Sequence, residues 1–462
     1  MPEALFNGAE IHGEFTGSEI FPGTVHAFTL VQVGEAGGDG VIPGLVVSQD
    51  EFNPTETVRK LVEEGAMPAC VGVYVRSATR PASSPGGFER SNRSQEYDGL
   101  GPDYPNFLVQ ELIPHLERTY RFRVSRDPDL HFICGSSSGG ISAWNACWER
   151  NDWFRRCYIC SPTFCSFRGG DQLPVLIRKY ETKKIRCYMT VGTEDMRNSA
   201  GDWFLEAHTA ARAMEYAGYD FFFNVFGGGR HGCGFGIREL HEDVLRFCWK
   251  DWATEPVRAR HLPPRVADIV AQDSAWEPAE GPLPVRDPPA TENGAYLFEK
   301  GCGDIVLRAP DGTERRFATG LEEISGLALS SDRWRLYIAA PSRRFVYAMS
   351  VLPDGALTDF GKFGHLHLAD DFSRPGALDV VTDVQDRVYA ATELGIQTFS
   401  SQSENNCVLP LPGNPPVTGL AFGGADGKTL YAASGDRVFR RRWLVAGRDN
   451  ATPAAKPSTS PF

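Results

Sequence analysis

Leu130–Trp144 reads LHFICGSSSGGISAW: an apolar run, three serines set between glycines, then a stretch able to form a helix. Gly135-Ser136-Ser137-Ser138-Gly139 satisfies G-x-S-x-G, with glycine two residues before and two residues after Ser137. That spacing suits a strand turning sharply into a helix, because side chains at the flanking positions would clash inside the turn. Ser137 would then project from the tip of a nucleophile elbow with its Oγ near a helix N-terminus. Ser136 and Ser138 lack glycine at both positions. Gly140 adds a point where the helix can approach the sheet.

A serine is a weak nucleophile at neutral pH and needs a base that is itself oriented by an acid. In a strand–elbow–helix setting the chain order is Ser, then Asp or Glu, then His. Four histidines follow Ser137 before the chain changes character: His208, His231, His241 and His261. His208 and His241 fall in helical stretches and His261 in a proline-rich segment. His231 lies in GGGRHGCGFG, where six glycines let the backbone bend close to a bound molecule. His231 is therefore the expected base. The acid should end the preceding strand, and VGTEDM offers Glu194 and Asp195. Asp195 is the choice and Glu194 the reserve. An oxyanion hole needs two N–H donors. One is expected from the backbone of Ser138 and the other from Asp50 or Glu51, after the early strand GLVVSQ.

Around this stretch, residues 1–256 alternate strand-like and helical runs. Segments 44–50, 70–75, 129–135, 155–161, 185–192 and 220–227 read as strands apolar on both faces, as in a buried parallel sheet. Helical patterns cover 53–65, 104–120, 138–149, 201–217 and 238–252. The alternation implies an α/β domain with a doubly wound, mostly parallel sheet. Residues 257–290 are rich in proline and read as a linker. From 291 to 447 helical periodicity is gone and a repeat takes over. Tyr296, Tyr337, Tyr389 and Tyr431 follow one another at intervals of 41, 52 and 42 residues. Three of them stand 10 or 11 residues after Leu327, Leu378 and Leu420. A period of 40–50 residues with several short strands per unit implies an all-β, propeller-like domain of about four blades. Residues 448–462 are expected to be disordered.

Composition excludes several classes. At 462 residues the chain is long enough for more than one core. A net charge of −12 argues against nucleic acid as a partner, since phosphate contacts need clustered Lys and Arg. No apolar run approaches a membrane span. Eleven cysteines, nine of them before Trp249, sit mainly inside apolar strand patterns, where thiols pack as small hydrophobes. Cys157-Tyr-Ile-Cys160 is a lone C-x-x-C and reads the same way. MPEALFNGAEIHGEF shows neither a basic nor an apolar leader region, and the expectation is a cytoplasmic protein.

With these motifs in view, residues 20–252 resemble the putative-esterase family, which includes esterase D, enterochelin esterases, feruloyl esterases and mycolyltransferases. GSSSGG is similar to that family's elbow, VGTEDM to its acid strand, and GGGRHG to its base loop. The resemblance implies an α/β-hydrolase fold and ester hydrolysis of a small-molecule substrate by Ser137, His231 and Asp195, with no cofactor and no metal. NRSQEYD (Asn92–Asp98) resembles a segment near the site in an enterochelin-esterase-like branch, which implies substrate contact by Arg93 and Glu96, with a structural salt bridge as the alternative. Trp203 in AGDWF is similar to a recurring position of that branch and would wall the pocket.

The later region resembles the gluconolactonase and senescence-marker propellers. It departs from them where metal ligands belong: Ile324-Ser325-Gly326 replaces P-N-G, and Pro375-Gly376-Ala377 replaces P-D-G. Lactonase chemistry is not expected there. Open blade edges invite pairing within the chain or with a second copy. Competing readings are a binding scaffold with a degenerate propeller, acyl transfer on the same fold, and a gluconolactonase-like lactonase.

Overall fold

The computed structural model describes residues 9–50, 53–272, 274–370 and 372–457. Two units emerge, one of residues 1–178 and 182–261, the other of residues 179–181 and 262–462.

The first unit is built on eight strands: β1 (Glu10–Phe15), β2 (His26–Val33), β3 (Gly44–Gln49), β4 (Cys70–Val75), β5 (His131–Ser136), β6 (Arg156–Cys160), β7 (Arg186–Gly192) and β8 (Asp220–Phe226). They lie in the order β1-β2-β4-β3-β5-β6-β7-β8. β2 pairs antiparallel with β1 and β4, and all later neighbours are parallel. The central strands are buried along their length, as continuous apolar runs with covered faces require. Five helices of this unit concern the site: α1 (Thr55–Glu63), α2 (Arg93–Tyr97), α3 (Ser138–Glu149), α4 (Trp203–Ala217) and α5 (Arg238–Trp249). α3 is buried almost all round, consistent with its mostly small and apolar residues. One core gathers Val46, Phe132, Tyr158, Tyr188, Val244 and Trp249 between sheet and helices. The expected strands and helices therefore appear within a few residues of their sequence bounds, with α/β-hydrolase architecture.

The second unit is an all-β, propeller-like arrangement of four four-stranded blades. Its strands are β9 (Glu277–Ala279), β10 (Ala290–Thr291), β11 (Gly294–Phe298), β12 (Asp304–Arg308), β13 (Glu314–Ala318), β14 (Gly326–Leu329), β15 (Arg335–Ala339), β16 (Phe345–Val351), β17 (Leu357–His365), β18 (Asp379–Thr382), β19 (Val388–Thr392), β20 (Gly395–Phe399), β21 (Asn405–Leu409), β22 (Gly419–Gly423), β23 (Thr429–Ser434) and β24 (Arg437–Arg442). Each tyrosine of the repeat occupies the equivalent strand of its blade: β11, β15, β19 and β23. The hydroxyls of Tyr296 and Tyr337 donate to Gly355 O at 3.0 Å and Asp386 Oδ2 at 3.3 Å, joining the first blade to the second and the second to the third. The last blade runs β9-β24-β23-β22, so a strand preceding the first blade completes it.

That pairing corrects the reading of 257–290 as a free linker. Leu262, Val266, Ile269 and Val270 enter a core with Leu420, Leu430 and Trp443. The proline-rich composition concealed a short helix, α6 (Pro264–Ala267), which proline tolerates in its first turn. Apolar residues spaced by three and four then face one way. The tail is corrected in part as well. Arg448 N–H donates to Thr382 O, Ala455 N–H to Ser331 O, and Asn450 Nδ2 to Pro288 O, so backbone and amide groups fix a segment that has little to bury. Among the described residues no helix is long and apolar enough to cross a membrane.

If 262–270 is core, Ile269→Ala in the full chain costs roughly 2–4 kcal/mol of the second unit's stability. Urea unfolding checks this; a free linker would shift the midpoint negligibly.

Candidate active site

The elbow forms where β5 meets α3. Ser137 has φ 59° and ψ −122°, a conformation that costs a non-glycine residue about 1–3 kcal/mol. Neighbouring backbone holds it there. Ser137 N–H donates to Cys160 O at 2.9 Å, and its carbonyl accepts from the amides of Gly140, Ile141 and Thr163. The flanking glycines are needed for room: a Cβ on Gly135 would lie 2.2 Å from Gly139 O, and one on Gly139 2.2 Å from Asp50 Oδ2.

The structure brings Asp195 and His231 together, with Asp195 Oδ1 2.6 Å from His231 Nδ1. Asp195 follows β7, and its side chain is fully buried, whereas Glu194 is exposed and faces Arg197 at 3.9 Å. Geometry thus selects Asp195 over the reserve. Burial pulls the Asp195 carboxyl upward, but hydrogen bonds from His231, the Ser161 hydroxyl and Met196 N–H outweigh it and leave it below the usual carboxylate range. The base loop passes beside the elbow, since a side chain at Gly232 would meet Ser136 Oγ at 3.6 Å. Among the described residues the Ser137 hydroxyl has Thr163 Oγ1 as its hydrogen-bond partner, at 3.5 Å, and not His231.

Ser161 was missed in the sequence. Its hydroxyl donates to Asp195 Oδ2 at 2.6 Å and accepts from Gly232 N–H at 3.0 Å, tying the acid to the residue after the base. It is fully buried, with φ 42°. Its position directly after an apolar parallel strand was the available signal, because functional loops gather at strand C-terminal ends.

The remaining expected residues divide. Trp203 opens α4, whose N-cap Asp202 accepts from Leu205 N–H. Its buried ring meets the His231 ring edge-to-face at 5.9 Å, and Phe167 packs on it at 6.0 Å. Arg93 grips Asp50: Nε and Nη2 each donate at 3.0 Å to one carboxylate oxygen, and Nη2 also reaches Ser136 O at 3.2 Å. Glu96 is corrected to its structural alternative. It is buried, accepts from Ala78 N–H and Asn92 Nδ2, and lies 3.3 Å from His26 Nε2. Asp50 directly follows β3 at φ 58°, and Glu51 lies outside the described residues. The cysteines are all free, and Cys157 and Cys160 are both buried.

A strained serine after a parallel strand, facing a loop whose histidine is anchored to a buried aspartate, has a counterpart among known families. Residues 41–239 fit the putative-esterase family. A solved ferulic acid esterase is 18% identical with a TM-score of 0.40, over 52% of this chain and 98% of that one. The enterobactin esterase from Shigella flexneri is 17% identical with a TM-score of 0.40, over 52% of this chain and 59% of that one. A structure titled a putative gluconolactonase is 16% identical with a TM-score of 0.28, over 34% of this chain and 48% of that one. No curated protein sequence matches the chain.

Ser161→Ala should lower kcat/KM for ester hydrolysis by about 10- to 100-fold, the loss expected for one hydrogen bond to a charged group. Removing a bond that holds Asp195 low raises its pKa. Read directly by carbon NMR, the Asp195 carboxyl should therefore titrate at higher pH than in the wild type, and an unmoved titration would contradict the role given to Ser161.

Proposed function

We propose that the first unit is a serine carboxylesterase acting through an acyl-enzyme. Ser137 attacks the ester carbonyl while His231 takes the hydroxyl proton and passes it to the departing alcohol. Water, deprotonated by the same imidazole, then releases the acid and restores Ser137. Asp195 fixes the tautomer that leaves Nε2 free to accept, and its charge stabilises the imidazolium. The developing oxyanion is met by the amide of Ser138, at the N-terminus of α3, and by an amide at 50–51. The observation that carries this reading is the 2.6 Å Asp195–His231 bond beside a serine held at positive φ.

Trp203 is buried and backs the His231 ring from within the fold instead of walling the pocket; Phe167, exposed beside it, is the aromatic face that would favour an ester with a flat or apolar acyl or alkoxy group. Aryl acetates, feruloyl sugars and catechol lactones form the panel that would locate the preferred substrate. In the second unit, Arg286 donates to Asp379 Oδ1 at 2.5 Å, and Leu420 N–H donates to Oδ2 at 2.9 Å. This buried carboxylate is committed to structure, and nothing there favours lactonase chemistry.

Ser137→Ala should abolish p-nitrophenyl acetate hydrolysis and fluorophosphonate labelling; persistence of either would remove Ser137 from the mechanism. Asp195→Asn, which inverts the tautomer preference, should lower kcat by about 10⁴-fold. Activity should be indifferent to EDTA.

A further inference from the structure

The NRSQEYD segment implied substrate contact for Arg93, and the geometry gives that side chain other work. Its guanidinium meets Asp50 through two parallel bonds of 3.0 Å and spends Nη2 again on Ser136 O, the carbonyl immediately before the nucleophile. Building on the serine-esterase reading, we propose that the Arg93–Asp50 pair is a positioning clamp for the oxyanion hole. It holds the Asp50 amide at a fixed separation from the Ser138 amide.

Three observations carry this. Asp50 sits at φ 58°, a conformation a non-glycine residue keeps only when its surroundings impose it. A bidentate arginine is a strong means of imposing it, since the planar fork fixes both distance and orientation. The Asp50 carboxylate also occupies the space beside Gly139: a Cβ there would fall 2.2 Å from Oδ2. One guanidinium therefore registers the end of β3, the end of β5 and the first turn of α3. Finally, α2 aims it. Arg93 begins this short helix, and Glu96 anchors the helix by accepting from Asn92 Nδ2 at 2.7 Å and Ala78 N–H at 3.0 Å. The arginine reaches and the glutamate holds, which explains why both occur in one short segment.

A clamp of this kind acts on the transition state, because oxyanion donors must stand where charge develops and not where the ground-state carbonyl lies. Arg93→Met, Arg93→Lys and Asp50→Asn in the full chain test it on an aryl ester. Expected is a fall in kcat of roughly 10- to 100-fold, the scale of a small misplacement of a catalytic group. KM should stay near the wild-type value, and affinity for a trifluoromethyl ketone should fall in parallel with kcat. The Arg93→Met/Asp50→Asn double variant should be no slower than the slower single one, since the two act as a unit. A raised KM with kcat intact would make Arg93 a substrate contact and overturn the proposal, as would unchanged kinetics. Arg93→Lys keeps charge and stem but loses the fork, so a folded Arg93→Lys enzyme with full kcat overturns it even where Arg93→Met fails to fold. The controls separate two failures: activity surviving in Ser137→Ala removes the underlying esterase reading, whereas an inactive Ser137→Ala beside fully active clamp variants removes only the clamp.

Discussion

The backbone of Ser137 is the constraint on which the first unit turns. A residue with a Cβ sits at positive φ because the chain must reverse from β5 into α3 within one residue while leaving a half-buried hydroxyl at the tip. The cost is local and the restraint is distributed. Cys160 O holds the amide, Thr163 and the first turn of α3 hold the carbonyl, and two glycines leave the necessary space. Two neighbours of the elbow serve a second part of the site. The turn after β6 supplies Ser161, which carries Asp195, and the loop after β3 supplies Asp50, which presses against Gly139.

This sharing determined what could be read in the sequence. The elbow was legible because its requirement is local: glycine at two fixed offsets from one serine, after an apolar run. Asp195 and His231 were legible through chain order and through their places at strand ends. Ser161 was not, because a serine that joins an aspartate 34 residues away to the amide of Gly232 leaves no periodic mark. Glu96 and Arg93 looked alike as charged residues of one segment. Only burial separates them, with one sealed against His26 and the other reaching the elbow.

The fold divides along the same line. Parallel strands buried on both faces announce themselves as apolar runs, whereas β1 and β2, at the antiparallel margin of the sheet, alternate and are diluted by polar residues. In the second unit the tyrosine period was visible because each blade repeats the same need, a large ring in its second strand. Leu262 to Val270 were hidden by the prolines around them, although their spacing is that of a helix face.

The pairing of β9 with β24 has a consequence for synthesis. Glu277 and Arg440 are 163 residues apart, and the fourth blade lacks a strand until both have been made. At about 5–20 residues per second, Glu277 waits roughly ten to thirty seconds for its partner. The first unit is complete in sequence by then, while the fourth blade still lacks its partner strands. The fourth blade is thus the last to be completed, and the strand that closes its sheet is made before the first blade begins.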